Sequence, residues 1–223
     1  AALELVAPYA RSARLGVARI DGMDDPVEDY LRRYGRPISY GYATPGWPLE
    51  AYQTVYACSP GSAEMPSAGR PFTPELIVRL LAMGVVIAPL TLHAGVSSPE
   101  RHEPPFPEWF EVPEPTAELV RVVRSRGGRV IAVGTTVVRA LESIAEQGGR
   151  VAARSGWTNR LVSREHPPRL VDGLITGWHE PEASHLWMLE ALAGPELIGR
   201  SYRVALASGY LWHEFGDSHL LLP

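Results

Sequence analysis

The sequence predicts an α/β fold in which helices flank a layered, largely parallel sheet, and two features support this prediction. From about residue 73 onward, helical patterns alternate with short apolar runs, and glycines separate them. The first 70 residues differ, because they hold short β-like pieces and a connector rich in proline, glycine and tyrosine. We therefore expect the end of a β-rich domain at residues 1–34 and an α/β domain at residues 35–223. We also expect the chain to be a piece of a longer protein.

The α/β part is predicted element by element. Thr73 and Pro74 are typical of the N-cap and first position of a helix over residues 75–84. The apolar run VVIAPLTL, residues 85–92, then indicates a strand that is covered on both faces. The later expected elements are a helix at 116–126, a strand at 129–134, a helix at 136–147, a short strand at 169–176, helices at 183–194 and 195–209, and a terminal edge strand.

Composition excludes some classes of function. The net charge is −4, so no overall positive field attracts nucleic acid, although a local basic patch remains compatible with this value. The chain contains no lysine, which excludes a lysine Schiff base or a lysine general base. The single cysteine, Cys58, cannot form an internal disulfide. Together with the absence of a signal-peptide pattern at residues 1–16, this favours a cytoplasmic protein.

The stretch GRVIAVGTTVVRALES, residues 128–143, combines a predicted strand, a Gly-Thr-Thr turn and a predicted helix. The first N–H groups of a helix are unpaired and carry the positive end of its dipole, so this turn is a candidate anion site. Gly134 lets a ligand approach closely, and Thr135 and Thr136 can donate hydrogen bonds. Taken alone, the local pattern favours a plain helix cap over a ligand site.

Other polar residues lie in or just after predicted strands. His93 comes just after VVIAPLTL, and Asp172 and Thr176 precede His179 in DGLITGWHE. Asp217 lies in the C-terminal segment HEFGDSH. Because neither an HExxH helix nor paired cysteines are present, we expect no metal. These residues alone predict an α/β enzyme or binding protein with a polar cleft at strand ends.

Seven segments, in this order, resemble the S-adenosylmethionine:tRNA ribosyltransferase-isomerase family of queuosine biosynthesis. They are YQTVYACSPGSAEMPSAGRPFTPEL, VIAPLTLHAG, EWFEVPEPTAELV, GGRVIAVGTTVVRALES, SGWTN, VDGLITGWHEP and FGDSHLL, and they extend from about residue 35 to residue 222. The resemblance is to the C-terminal part of longer family members. It implies an α/β catalytic domain interrupted by a β-barrel insert, the remnant of which we expect at the N-terminus.

The resemblance also implies an activity. Such enzymes transfer and isomerise the ribosyl group of S-adenosylmethionine onto 7-aminomethyl-7-deazaguanine in tRNA, forming epoxyqueuosine and releasing adenine and methionine. A base must remove a proton beside the sulfonium, and polar groups must hold the donor. The candidate bases in this chain are His93, His179 and Asp217. The candidate substrate-binding residues are Tyr52, Gln53, Gly134, Thr135, Thr136, Arg139, Asp172 and Thr176.

The chain departs from the family pattern at three loops. Pro71 holds a position that is usually histidine, Glu182 replaces a lysine, and His102 is the only histidine of a shortened loop. These departures leave two alternatives open. One is a paralogue that uses the same donor with a non-tRNA acceptor. The other is a non-catalytic nucleotide-binding or RNA-binding protein. Oligomeric state is not readable from the sequence.

Overall fold

The structure is a computed structural model, and two compact units divide the chain, residues 1–37 and residues 38–223. The described residues are 2–9, 15–23, 25–38, 46–96, 105–145, 151–179 and 184–223. None of the helices within these ranges is long and apolar enough to cross a membrane.

The smaller unit is a β-hairpin followed by one helix. β1 (Ala2–Pro8) pairs antiparallel with β2 (Gly16–Asp21), and α1 (Val27–Tyr34) comes next. The apolar side chains of Leu3 and Leu5 on β1 are exposed. The two strands correspond to the predicted β-like pieces, but one antiparallel pair does not confirm the expected remnant of a barrel.

Within its described residues, the larger unit contains two three-stranded sheets, five α-helices and two short 3-10 helices, Leu49–Tyr52 and Ser67–Gly69. One sheet has the order β3-β4-β6, formed by β3 (Thr91–His93), β4 (Glu108–Val112) and β6 (Arg154–Thr158). The other has the order β5-β7-β8, formed by β5 (Ile131–Val133), β7 (Gly173–Gly177) and β8 (Ser218–Leu221). The helices are α2 (Pro74–Ala82), α3 (Glu114–Ser125), α4 (Thr135–Ser143), α5 (His185–Ala193) and α6 (Pro195–Ala207).

The first helix of this unit begins as its sequence predicts. Thr73 Oγ1 accepts a hydrogen bond of 3.1 Å from the N–H of Leu76, and Pro74 occupies the first helical position. The helix ends near Gly84, whose φ of 83° lies in the left-handed region that glycine adopts without steric cost. Local residue types therefore determine both ends of α2.

The prediction of a largely parallel sheet requires correction. Among the described strand pairs only β5 and β7 run parallel, whereas β1–β2, β3–β4, β4–β6 and β7–β8 are antiparallel. The difference arises because β4 and β6 lack the long apolar run that indicates a strand in the sequence. β4 pairs antiparallel with β3 on one side and with β6 on the other. In addition, the apolar run at residues 85–92 forms a strand only from Thr91 onward. The mixed α/β class is confirmed, and the parallel layering is not.

α4 is the central helix of the larger unit, since it packs against β3, β4 and β6 of one sheet and β5 and β7 of the other. Its side chains Val138 and Ala140 are fully buried. Glu142, on the same helix, is also buried and accepts hydrogen bonds from the backbone N–H groups of residues 169–171 at 2.8, 2.8 and 3.1 Å. These bonds fix the segment before β7 against α4, which positions both elements for the site described next.

Candidate functional site

An open cleft lies where the parallel strands β5 and β7 end and α4 begins. The N–H of Gly134, just after β5, donates to the carbonyl of Ile175 in β7 at 2.8 Å, so the carboxyl ends of the two strands lie side by side. The first turn of α4, Thr176 and His179 line the cleft. Open α/β sheets bind ligands at such strand ends, which makes this cleft the candidate site.

Gly134 determines how α4 begins. It is the N-cap of the helix, with φ 108° and ψ 146°, a conformation that side-chain-bearing residues rarely adopt. The first bond at this end of the helix joins the N–H of Val138 to the carbonyl of Gly134 at 3.3 Å. The N–H groups of residues 135–137 precede that bond and lie at the positive end of the helix dipole. Because the N-cap is glycine, no side chain caps these groups.

A buried ion pair forms one wall of the cleft. Arg139 of α4 pairs with Glu108 of β4, and their side chains are 5% and 12% exposed. Glu108 also accepts hydrogen bonds from the hydroxyl of Thr136 at 3.1 Å and from the backbone N–H of Gly95 at 3.2 Å. This one carboxylate therefore connects β4, the start of α4 and the segment after β3.

The guanidinium of Arg139 is almost fully engaged within the protein. Its Nε donates to the carbonyl of Arg160 at 3.0 Å, and Nη2 donates to the carbonyls of Phe106 and Thr158 at 2.9 and 3.1 Å. With the bond from Nη1 to Glu108, four of the five N–H groups are used. Burial lowers the pKa of Arg139, while the adjacent Glu108 carboxylate opposes that shift. Arg139 thus has its counter-ion before any ligand binds.

Three histidines that line the cleft lie against one another. The ring centroids of His179 and His185 are 4.1 Å apart with nearly parallel planes, and His213 lies 4.8 Å from His179. His179 Nε2 is 3.0 Å from Thr176 Oγ1, and the tautomer decides which group donates. Burial, followed by the charges of His185, His213 and His219, holds the pKa of His179 well below 6.5. Its imidazole is therefore neutral near pH 7, because burial disfavours the protonated form.

Comparison with known proteins assigns the chain to a family. The family model described as "Queuosine biosynthesis protein" matches residues 4–221. The chain belongs to this family. The resemblance based on the seven sequence segments is confirmed.

Relatives within the queuosine biosynthesis protein family are longer than this chain. The S-adenosylmethionine:tRNA ribosyltransferase-isomerase of Pelotomaculum thermopropionicum is 40% identical over 203 residues, which are 87% of this chain and 60% of the relative. A protein of the same name from Thermus thermophilus is 43% identical over 182 residues, 78% of this chain and 52% of the relative. The chain thus spans between 52% and 60% of the length of these two relatives.

A solved structure in the family agrees with the fold. The crystal structure of an S-adenosylmethionine tRNA ribosyltransferase from Thermotoga maritima matches with a TM-score of 0.60 and 38% sequence identity. The match covers 70% of this chain and 52% of that one. The similarity therefore extends to the spatial arrangement of most of this chain.

About half of the residues predicted for the site lie in the cleft. The predicted residues that line it are Gly134, Thr135, Thr136, Arg139, Thr176 and His179. The predicted residues that do not line it are Tyr52, Gln53, His93, Asp172 and Asp217.

His93 and Asp172 lie elsewhere for reasons that strand geometry explains. Side chains alternate along β3, so Leu92 lines the cleft while the ring of His93 stacks on Trp109, with centroids 5.1 Å apart. Asp172 precedes β7 and lies at the amino end of that strand, away from Thr176. Its carboxylate accepts the N–H of Val130 at 2.8 Å, which connects the starts of β5 and β7.

Asp217, Tyr52 and Gln53 lie near the C-terminal loop. Asp217 accepts the N–H of Leu211 at 2.8 Å and closes the loop before β8. It also lines a smaller hollow beside the cleft. Tyr52 is buried and contacts the ring of Phe215 edge-on at 5.0 Å, and Gln53 after it is exposed.

Sequence reasoning missed Glu108, Arg160 and His185, which all line the cleft. Glu108 begins the strand EWFEV, where an acidic residue is more typical of an exposed position than of a buried one. Arg160 and His185 lie just after β6 and at the start of α5, where no local motif indicates a ligand site. Only the folded arrangement brings these three residues together.

Two of the expected departures from the family pattern fall on His102 and Glu182, which lie outside the described residues. The third, Pro71, lines the smaller hollow beside the cleft. Within the part of the chain that the structure describes, no group of three or more histidine, cysteine, aspartate or glutamate side chains could hold a metal ion.

Proposed function

We propose that this protein transfers and isomerises the ribosyl moiety of S-adenosylmethionine onto 7-aminomethyl-7-deazaguanine in tRNA, forming epoxyqueuosine and releasing adenine and methionine. The observation that carries the proposal is its 40–43% identity to proteins named S-adenosylmethionine:tRNA ribosyltransferase-isomerase over most of this chain. In this proposal S-adenosylmethionine is a co-substrate, tRNA is the acceptor, no metal takes part and the reaction is cytoplasmic.

His179 is the proposed general base. The sulfonium of the donor makes the ribose 5′ hydrogens acidic, so a neutral base in the cleft can start the reaction. Its place in the cleft supports this role over the other two candidate bases, neither of which lines the cleft. The hydroxyl of Thr176, 3.0 Å from Nε2, fixes the orientation of the ring. His93 stacks on Trp109 and Asp217 closes a loop, so neither competes for this role in the cleft.

The Gly-Thr-Thr turn is proposed to bind an anionic group of a substrate. The N–H groups at the start of α4 provide hydrogen-bond donors and a positive partial charge at the cleft. Arg139 positions this turn indirectly, because Glu108 bonds both its guanidinium and the hydroxyl of Thr136. Tyr52 and Gln53, beside the C-terminal loop, are proposed to contact the larger substrate, tRNA.

Residues 1–34 are proposed to be the end of a β-rich, barrel-like domain, and residues 35–223 the catalytic domain. The exposed apolar side chains Leu3 and Leu5 of β1 support the first assignment. A two-stranded hairpin buries too little apolar surface to be stable by itself, so its exposed face fits packing against further strands.

A paralogue with the same donor and a non-tRNA acceptor is the second candidate. Two observations favour it: the net charge of −4, and Pro71 in place of the histidine that the family resemblance implies at the smaller hollow. A change of acceptor would alter a loop beside the proposed donor cleft and leave the cleft itself unchanged. Pro71 is a substitution of this kind.

The release of adenine from S-adenosylmethionine tests these functions. Adenine and methionine are quantified by chromatography with tRNA that carries the deazaguanine base, with unmodified tRNA, and with the free base. Release that requires the modified tRNA supports the main proposal, and release with the free base alone supports the paralogue. Donor binding without release under any condition would leave a non-catalytic binding protein.

Two histidine variants test whether the release of adenine depends on the proposed base in the cleft. We expect His179→Gln to lower kcat by about 10²- to 10⁴-fold, the usual contribution of a general base. The matched control is His166→Gln, because His166 is exposed and does not line the cleft. Equal rates for the two variants would contradict the role of His179.

A further inference from the structure

Arg160 is a cation in the cleft whose side chain has no partner within the described chain. It follows β6, lines the cleft and is partly buried. Its backbone is engaged, because its carbonyl accepts Arg139 Nε and its N–H donates to Thr158 Oγ1 at 3.1 Å. Its guanidinium forms no ion pair or hydrogen bond with any described residue, and Nε is buried without a partner.

Such an arrangement leaves a cation open to a ligand. Arg160 is only partly buried, and its Nη groups are not among the buried atoms that lack a partner, so they remain accessible in the cleft. The carboxylate of Glu108, which also lines the cleft, does not serve as its counter-ion, because it already pairs with Arg139 and accepts two further hydrogen bonds. The cleft therefore has one cation with its counter-ion and, among the residues that the structure describes, one without.

We propose that Arg160 binds the carboxylate of the small molecule that occupies this cleft. A planar guanidinium matches a carboxylate geometrically and can form two parallel hydrogen bonds with it. Because Arg160 is partly buried in the cleft, an anion must enter the cleft to reach its Nη groups, which suits a small ligand better than a phosphate on the backbone of an RNA polymer. This inference rests on the proposed function, in which the ligand is S-adenosylmethionine and the carboxylate belongs to its methionine portion.

Binding of two related compounds tests the inference. Calorimetric titration compares S-adenosylmethionine with its decarboxylated analogue, which keeps the sulfonium, ribose and adenine. Arg160→Gln is expected to weaken the binding of S-adenosylmethionine by about 10- to 100-fold, the effect of losing charge-assisted hydrogen bonds. The same variant binds the decarboxylated analogue as the wild-type protein does. Arg160→Lys, which keeps the charge without the planar fork, has intermediate affinity.

Two controls separate this role from a structural one. Arg79→Gln removes the same charge from an exposed position on α2 and is expected to leave both affinities unchanged. The melting temperature of ligand-free Arg160→Gln is expected to equal or exceed that of the wild-type protein, because no internal partner loses its bond. A lower melting temperature would indicate a structural role and overturn the inference.

The remaining outcomes are also decisive. If wild type and Arg160→Gln bind S-adenosylmethionine equally well, the inference fails while the proposed function stands. If the variant instead weakens the binding of a tRNA stem-loop, with a smaller salt dependence, then Arg160 contacts a phosphate and the inference is wrong. If the wild-type protein binds no S-adenosylmethionine, both the inference and the proposed function fail.

Discussion

Replacing Glu108 by glutamine removes the carboxylate that faces the buried guanidinium of Arg139. Removing one partner of a buried ion pair costs about 3–5 kcal/mol, because the remaining charge loses its compensation. The whole Arg139 residue is only 4% exposed, so water cannot take the place of the carboxylate. Its three bonds to backbone carbonyls persist, and the glutamine oxygen can still accept from Thr136 and Gly95. We therefore expect a loss near the lower limit, about 3 kcal/mol.

Thermal unfolding followed by circular dichroism measures this loss. A protein of this size changes its Tm by about 2–4 °C per kcal/mol, so Glu108→Gln is expected to lower Tm by about 6–12 °C. The control is Glu114→Gln, which breaks the exposed ion pair between Glu114 and Arg121 and is expected to change Tm little. A drop of less than about 2 °C for Glu108→Gln would refute the reasoning.

The double variant Glu108→Gln/Arg139→Gln tests whether the two residues act as a pair. Once the guanidinium is gone, no buried charge remains uncompensated, so the double variant is expected to lose less stability than the sum of the single variants. Losses that add would show that each residue acts through its other contacts.

Three further predictions concern α4 and the histidines. Glu142→Gln is expected to lower the unfolding free energy by about 2–4 kcal/mol in calorimetry, because the buried carboxylate accepts three backbone N–H groups. Gly134→Ala is expected to cost about 1–2 kcal/mol in denaturant titrations, since its φ of 108° disfavours a Cβ. Burial lowers the pKa of His179 in the folded chain, so below pH 6.5 the unfolded chain binds a proton at His179 that the folded chain does not. Tm is therefore expected to fall as the pH drops from 7.5 to 5, and His179→Gln is expected to reduce this dependence.

Features determined by short segments could be predicted from the sequence. Thr73 and Pro74 predict the start of α2 because capping depends on adjacent residues only. The Gly134 turn is recognisable for the same reason, since a strand, a glycine and a helix follow one another directly. Both features depend on backbone geometry within a few residues of the chain.

Features that depend on distant contacts could not be predicted. β4 and β6 are recognisable as a sheet only through their pairing across about 45 residues of sequence, so the local pattern predicts a parallel sheet instead. The partner of Arg139 is 31 positions away, and no local pattern indicates that Glu108 points inward. The position of Arg139 in the cleft was predictable, but its carboxylate partner was not.

The two arginines of the cleft differ in their partners. We therefore expect Arg139 to contribute to the stability of the fold and Arg160 to the binding of a ligand. Arg139 has a carboxylate and three carbonyls, so its charge is compensated by the fold and its loss lowers the stability of the protein. Arg160 has no partner for its guanidinium within the described chain, so its charge is available to a ligand and its loss lowers affinity. The carboxylate site that we propose at Arg160, beside the base that we propose at His179, needs both properties, because an uncompensated Glu108 would repel the carboxylate and favour protonation of the base.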